Sequence, residues 1–144
     1  MEIRELTEQD YEEAIALWRQ TPGVAVSEAD SREAVTRYLR RNPKLSFVAR
    51  EGGELVGTVL CGHDGRRGYL HHLAVAPSWR RRGIGRALAE CCVRELRALG
   101  IRKLHLFVYN TNTAALEFWH GLGWSGRPDI TMLTRSIPAV EEES

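Results

Sequence analysis

Apolar positions along the chain recur with two periods, that of helices and that of strands. Residues 3–6 read as a short first strand. Thr7-Glu8-Gln9-Asp10 has the spacing of a capping box, with Asp in place of the usual Glu. Tyr11, Ala14, Ile15 and Trp18 then recur at helical spacing, and Pro22-Gly23 ends that helix. Ser31 opens a second helix, with Val35, Tyr38 and Leu39 facing inward, and Asn42-Pro43 stops it. Residues 46–50 and 54–61 read as strands joined by the Gly52-Gly53 turn. Asp64-Gly65 makes another turn before a fourth strand over 68–75. Gly83 begins a long helix with Ile84, Ala87, Leu88, Cys91, Leu96 and Leu99 on one side, and Gly100 caps it. A fifth strand over 103–108 precedes a helix over 112–122 that Gly123 ends. Trp124 and residues 132–137 are late strand material.

The predicted order is β-α-α-β-β-β-α-β-α-β. Meandering strands followed by a βαβ crossover give an α/β (α+β) mixed sheet with helices on both faces. No linker or repeat divides the chain, so residues 1–140 read as a single domain and residues 141–144 as a solvated acidic tail.

Composition narrows the function classes. The 20 basic and 19 acidic residues give a formal net charge of +1, which argues against nucleic-acid and membrane-surface partners. No uncharged apolar run reaches the 18 residues needed to span a bilayer. The opening Met1-Glu2-Ile3-Arg4-Glu5 has neither the basic nor the apolar region of a secretory signal. Cys61, Cys91 and Cys92 lack metal-ligand spacing and form no even disulfide set. A reducing cytoplasm is therefore the expected location, with the cysteines as small core hydrophobes and no metal.

The informative stretch is Leu73-Ala74-Val75-Ala76-Pro77-Ser78-Trp79-Arg80-Arg81-Arg82-Gly83-Ile84-Gly85-Arg86, which leaves a strand and opens a helix. First-turn amides there have no intrahelical acceptor and sit at the positive end of the helix dipole. Gly83 and Gly85 let backbone approach a ligand, and Arg80, Arg81, Arg82 and Arg86 add charge for an anion larger than one phosphate. A Walker loop is excluded for want of its lysine. A dinucleotide fingerprint is excluded because Leu88 stands where its third glycine belongs. A solvated arginine cluster beside a glycine turn is the alternative reading.

Arg80-x-x-Gly83-x-Gly85 after Leu73-Ala74-Val75 resembles the acetyl-CoA motif of the GNAT N-acetyltransferases. Asn112-x-x-Ala115-x-x-x-Trp119-x-x-x-Gly123-Trp124 resembles the second block of that family, with Trp119 in place of its tyrosine. The resemblance runs from Ile3 to about Ile137. Glu54-x-Val56-Gly57-Thr58-Val59 with His63-Asp64-Gly65 further resembles the YpeA-like branch of small bacterial acetyltransferases.

The resemblance implies a twisted, mostly antiparallel sheet whose fourth and fifth strands splay to admit acetyl-CoA as co-substrate. The pyrophosphate would rest on amides of Arg81, Arg82, Gly83, Ile84, Gly85 and Arg86. The pantetheine arm would pair with the strand at Leu73 and Val75, on either side of Ala74, and the Leu73 N–H would face the thioester carbonyl. Asn112 would bond the arm, although a helix N-cap is its other reading. Ala115 and Trp119 would line it. An acceptor amine, from a small molecule or a protein, would attack the thioester directly, and a base must first take its proton.

Residues 69–73 read Tyr-Leu-His-His-Leu, and strand alternation puts Tyr69, His71 and Leu73 on one face and Leu70, His72 and Ala74 on the other. His71 matches the second histidine of the His-x-His pair in the serotonin N-acetyltransferase branch, while Tyr69 replaces the first. His71 is therefore the candidate base, with a satisfied core histidine as the alternative. His72 reads as packed or surface-lying, and His63, His105 and His120 as further away. Trp119 cannot protonate the departing thiolate, which leaves solvent or Tyr109. Arg19, Glu28, Asp30, Arg32 and Glu33 form the exposed polar set expected on the acceptor side, and the protein is expected as a monomer or homodimer. A CoA-binding module with lost catalysis is the rival from another class.

Overall fold

The computed structural model describes residues 1–140. Strands β1 (Glu2–Glu5), β2 (Phe47–Glu51), β3 (Glu54–His63), β4 (Gly68–Val75) and β5 (Leu104–His105) form one sheet in sequence order. The first three pairings are antiparallel and β4–β5 is parallel. Helices α1 (Tyr11–Gln20) and α2 (Arg32–Arg41) cover one face, and α3 (Ile84–Ala98) and α4 (Thr113–Gly121) the other. This is the mixed sheet with helices on both faces that the element order predicts, and it is mostly antiparallel as the resemblance implies.

Each face of the sheet carries its own core. Ile15 and Trp18 of α1 and Val35 of α2 pack on Val48, Leu60 and Ala74. Leu88, Cys92 and Leu96 of α3 pack on Val59, Cys61 and Leu70. Cys61, Cys91 and Cys92 are buried and free, as small core hydrophobes. Burial of this apolar surface is the main favourable term in folding. Leu99, expected on the inward side of α3, is instead its C-cap and is exposed. Gly100 follows at φ +81°, a left-handed turn that lets the Ile101 N–H bond back to the Leu96 carbonyl at 3.0 Å.

Two expected strands differ. β5 has two residues where 103–108 was predicted, because its only ladder partners are Gly68 for Leu104 and Tyr69 for His105. Leu106 and Val108 still pack inward, on the α3 side. Residues 132–137 form no strand. A strand needs an edge to pair with, and β5 offers one only two residues long. Met132, Leu133 and Ile137 lie exposed. Residues 141–144, the expected acidic tail, fall outside the described residues.

β4 also breaks the simple alternation. Thr58 pairs with Ala74 and Leu60 with His71, so His72 and Leu73 stand opposite a single residue of β3. That is a β-bulge, and His72 takes φ +51° there, a region that side chains rarely adopt. Thr58 holds the bulge. Its buried hydroxyl donates to the His72 carbonyl at 3.0 Å and accepts the Trp18 indole N–H at 2.8 Å.

The other end of the sheet is closed by charge. The Asp10 side chain, 2% exposed, accepts from Arg4 Nη1 at 3.0 Å and Nη2 at 2.8 Å, from Arg50 Nη2 at 2.8 Å, and from the Thr7 N–H at 2.9 Å. The last bond belongs to the capping box expected at Thr7. Burial raises the Asp10 pKa, but the two guanidiniums and the Thr7 amide outweigh it and hold the carboxyl well below its ordinary range. The folded-state pKa is thus below the unfolded one. The resulting stability is complete above about pH 4, the unfolded value, and fades as the pH falls toward the folded value. Asp10→Asn should lose on the order of 3 kcal/mol at pH 7, because it strands charge on Arg4 and Arg50. Urea titrations should show that deficit shrinking between pH 4 and pH 2.

Candidate functional site

β4 and β5 part just beyond their two paired residues. A cavity of about 390 Å³ opens between them. His71 and Leu73 line it from β4, Tyr109 from the segment after β5, and Asn112, Ala115 and Trp119 from α4 and its cap. Six residues singled out from the sequence thus meet at one cleft. Ala74 and Val75 do not line it. Ala74 is buried against α1, and Val75 packs toward the α3 core.

Asn112 does serve as a cap, since its Oδ1 accepts the Ala115 N–H at 3.1 Å. Its Nδ2 lies against Gly23, where a Cβ would come within 2.5 Å of it, and Gly23 also has φ +86°. The loop after α1 can approach α4 only because residue 23 is glycine. Trp119 belongs to the core as well as the cleft wall, in edge contact with Phe118 and Trp124 at 5.0 Å each. Tyr109 is largely exposed.

The arginine loop lies outside the cavity, between the end of β4 and the start of α3. Arg80, Arg81, Arg82 and Arg86 are exposed. Arg80 Nε donates to the Val75 carbonyl at 3.1 Å, and the Arg82 guanidinium lies over the Trp79 ring at 4.7 Å. Arg81 at φ +63° and Gly83 at φ +81° bend the chain through left-handed conformations. Ser31 and Asn112 close the starts of α2 and α4 with side-chain oxygens, whereas Gly83 gives α3 no such cap. The first-turn amides of α3 are left with the helix dipole behind them. A Cβ on Gly85 would stand 3.2 Å from Phe118 and 3.6 Å from Leu73, so this glycine permits close packing of α3, α4 and β4.

The bulge changes which way the histidines face. Alternation sets His71 and His72 on opposite faces, but the extra residue turns both toward α1 and α2. His71 lies 6.4 Å from the Tyr38 ring and His72 4.8 Å from the Trp18 ring. Leu73 is thereby moved to the opposite face, with Leu70. Burial, aided by the neighbouring His72 and opposed by Asp30, lowers the His71 pKa, so its imidazole is neutral at pH 7. His63 accepts the Gly65 N–H at 3.0 Å through Nδ1, His105 packs on Tyr69, and His120 is exposed on α4.

Sequence reasoning missed Asp30 as a partner of this strand. It is buried rather than exposed. Its Oδ1 lies 2.7 Å from His72 Nε2, and its Oδ2 accepts the Ser27 N–H at 3.0 Å. The spacing Ser27-Glu28-Ala29-Asp30 is a capping box and was the available signal. Arg32 is also engaged, with Glu12 at 2.6 Å and over the Tyr11 ring at 4.9 Å. A second cavity of about 740 Å³ lies beneath α2, and Ala25, His71 and His72 line both cavities. Hydrogen bonding to Cys61, with burial, pushes the Cys92 thiol up, so it stays protonated and is no acyl acceptor. Among the described residues no group of three or more His, Cys, Asp or Glu side chains is placed to hold a metal.

The model of the acetyltransferase (GNAT) family matches residues 3–124. An acetyltransferase of Sodalis glossinidius is 33% identical over 142 residues, covering 99% of each chain. The PaiA N-acetyltransferase of Thermoplasma acidophilum, solved with coenzyme A, superposes with a TM-score of 0.73 at 22% identity over 84% of this chain and 87% of that one. The acetyltransferase AAC(6')-Iy, solved with the bisubstrate analogue CoA-S-monomethyl-acetylneamine, gives 0.75 at 20% identity over 94% and 98%.

The setting of His71 has a direct readout. In an NMR titration, its ring should show a midpoint below the ordinary histidine value of about 6.5. His72→Asn suits the left-handed position and removes the neighbouring imidazole, so it should raise that midpoint part of the way back.

Proposed function

The chain belongs to the acetyltransferase (GNAT) family, and on that premise we propose that residues 1–140 are one N-acetyltransferase domain that moves the acetyl group of acetyl-CoA to a primary amine by direct attack in a ternary complex. The observation that carries the reading is the cleft between β4 and β5 together with the uncapped start of α3 beyond it. An elongated thioester ending in phosphates needs both, a narrow apolar slot and a set of open amides. The complexes of the two solved acetyltransferases with CoA or a CoA conjugate support the same ligand. No described helix is long and apolar enough to cross a membrane, and three buried free thiols suit the reducing cytoplasm.

The residues present fit acetyl-CoA. A Cβ on Gly83 would meet open space, and its left-handed backbone leads into a start of α3 that no side chain caps. Arg80, Arg81, Arg82 and Arg86 supply charge for the phosphates, and their exposure leaves them free to reach it. Leu73 and Val75 offer β4 backbone to the pantetheine arm, on either side of Ala74. Asn112 has its Nδ2 left to donate, while Ala115 and Trp119 give the arm apolar walls.

Bound in this way, acetyl-CoA supplies an activated acyl carbon. The Leu73 N–H faces the thioester oxygen, where negative charge develops. His71, neutral because it is buried, takes one proton from the acceptor ammonium directly or through water. The amine nitrogen then forms the N–C bond as the C–S bond breaks, the electron pair leaves on sulfur, and the nitrogen gives up its second proton to solvent. That thiolate has a reference pKa of about 8.5 and leaves without an acid; solvent or Tyr109 then protonates it. Trp119 donates no proton and packs beside the arm. Its replacement of tyrosine is the feature that favours the rival reading, a CoA-binding module. Thiol release from acetyl-CoA that depends on one added amine decides for the enzyme. CoA binding without turnover on any amine decides for the module.

Gly83→Asp should abolish CoA binding, because it sets a carboxylate among the amides that the phosphates need; calorimetry on the folded variant reads this directly. His71→Ala should cut turnover by about 10²–10⁴-fold, the usual effect of losing a general base, with acetyl-CoA affinity kept. It should also remove the acid limb of the rate profile.

A further inference from the structure

Resting on the acetyltransferase reading above, we propose that the 740 Å³ cavity beneath α2 is the acceptor site and that it selects an amine bearing a carboxylate or similar anion, not a polycation. The cavity shares His71 and His72 with the cleft between β4 and β5. An amine lying in it therefore reaches the acetyl group at the candidate base.

The charges around the cavity decide what it accepts. Arg37 and Arg41 line it, four residues apart and so on one face of α2. The other arginines of this helix that form ion pairs are engaged elsewhere, Arg32 with Glu12 and Arg40 with Glu8. Among the described residues Arg37 and Arg41 have no acidic partner, and both are exposed at the mouth. Asp30 is the one carboxylate lining the cavity, and both its oxygens are already used, by His72 and by the Ser27 N–H. No other carboxylate lines the cavity to receive an ammonium group. Two free guanidiniums are instead placed to pair with an anion bidentately. The acceptor thus enters with its amine toward His71 and its anion toward Arg37 and Arg41. A polycationic aminoglycoside, of the kind conjugated in the AAC(6')-Iy complex, would bring its positive charge against these arginines.

The test uses the whole chain with acetyl-CoA and a panel of amines: 4-aminobutyrate, L-lysine and glycyl-glutamate, each beside its amide, together with spermidine and kanamycin. Thiol release should favour at least one acid over its amide by about tenfold or more in kcat/KM, the range expected for a charged hydrogen bond. The double variant Arg37→Gln/Arg41→Gln should raise KM for that acid by a similar factor. The KM for acetyl-CoA and for the amide should not move. Equal use of acids and amides, preference for spermidine or kanamycin, or indifference to the double variant overturns the proposal while leaving the acetyltransferase reading intact. If no amine releases thiol, calorimetry of the same panel on the CoA-saturated protein takes over. Binding of an acid but not its amide, lost in the double variant, supports the site, and no such discrimination overturns it. Failure to bind CoA at all overturns the acetyltransferase reading instead, and the acid–amide comparison on the free protein then still decides the arginine site.

Discussion

The site depends on what happens to β4 at residue 72. Along β3 this strand is paired nearly to its end, but one extra residue is taken up at His72, with a left-handed backbone that the Thr58 hydroxyl steadies. On its other side, β4 is paired to β5 for only two residues. A strand firmly held on one edge, bulged in the middle and released on the other leaves a slot beside it. The slot carries an apolar wall from Leu73, Ala115 and Trp119 and a polar floor at His71. Trp18 is tied to the same hydroxyl, so α1 is clamped to the bulge on the face that His71 and His72 share. The bulge is therefore a packed part of the core, and the two histidines inherit its rigidity.

Polar groups are divided between those used up inside the fold and those left for a ligand. Asp10 is consumed by Arg4 and Arg50, and Asp30 by His72 and a backbone amide. Ser31 and Asn112 satisfy the starts of their own helices. Left over are the amides at the start of α3, the arginines beside them, and the pair Arg37 and Arg41 under α2. Buried polar groups must be satisfied internally, whereas exposed ones need not be. These groups are positive, although the chain's net charge is only +1.

The sequence by itself determined most of the elements, the class of sheet and the place of the arginine-flanked start of α3 that no side chain caps. Each of these is local: helical and strand periods in Tyr11–Trp18 and in β3, the glycines that end helices, the step from strand to helix at Gly83. Asn112 as a cap and Thr7–Asp10 as a capping box were legible for the same reason, since a cap is satisfied within four residues. The tertiary structure alone decided the rest. The left-handed backbone at His72 is set by Thr58 and Trp18, which are remote in sequence, so strand alternation misassigned the faces of His72, Leu73 and Ala74. The shortness of β5 and the absence of a strand at 132–137 depend on where a neighbouring edge happens to end. Asp30 looked like an ordinary solvated charge, and nothing in the sequence set Arg37 apart. The first became a buried partner and the second an open one only when α2 was laid across the sheet, because a side chain's partners are fixed by what packs against it and not by its neighbours along the chain.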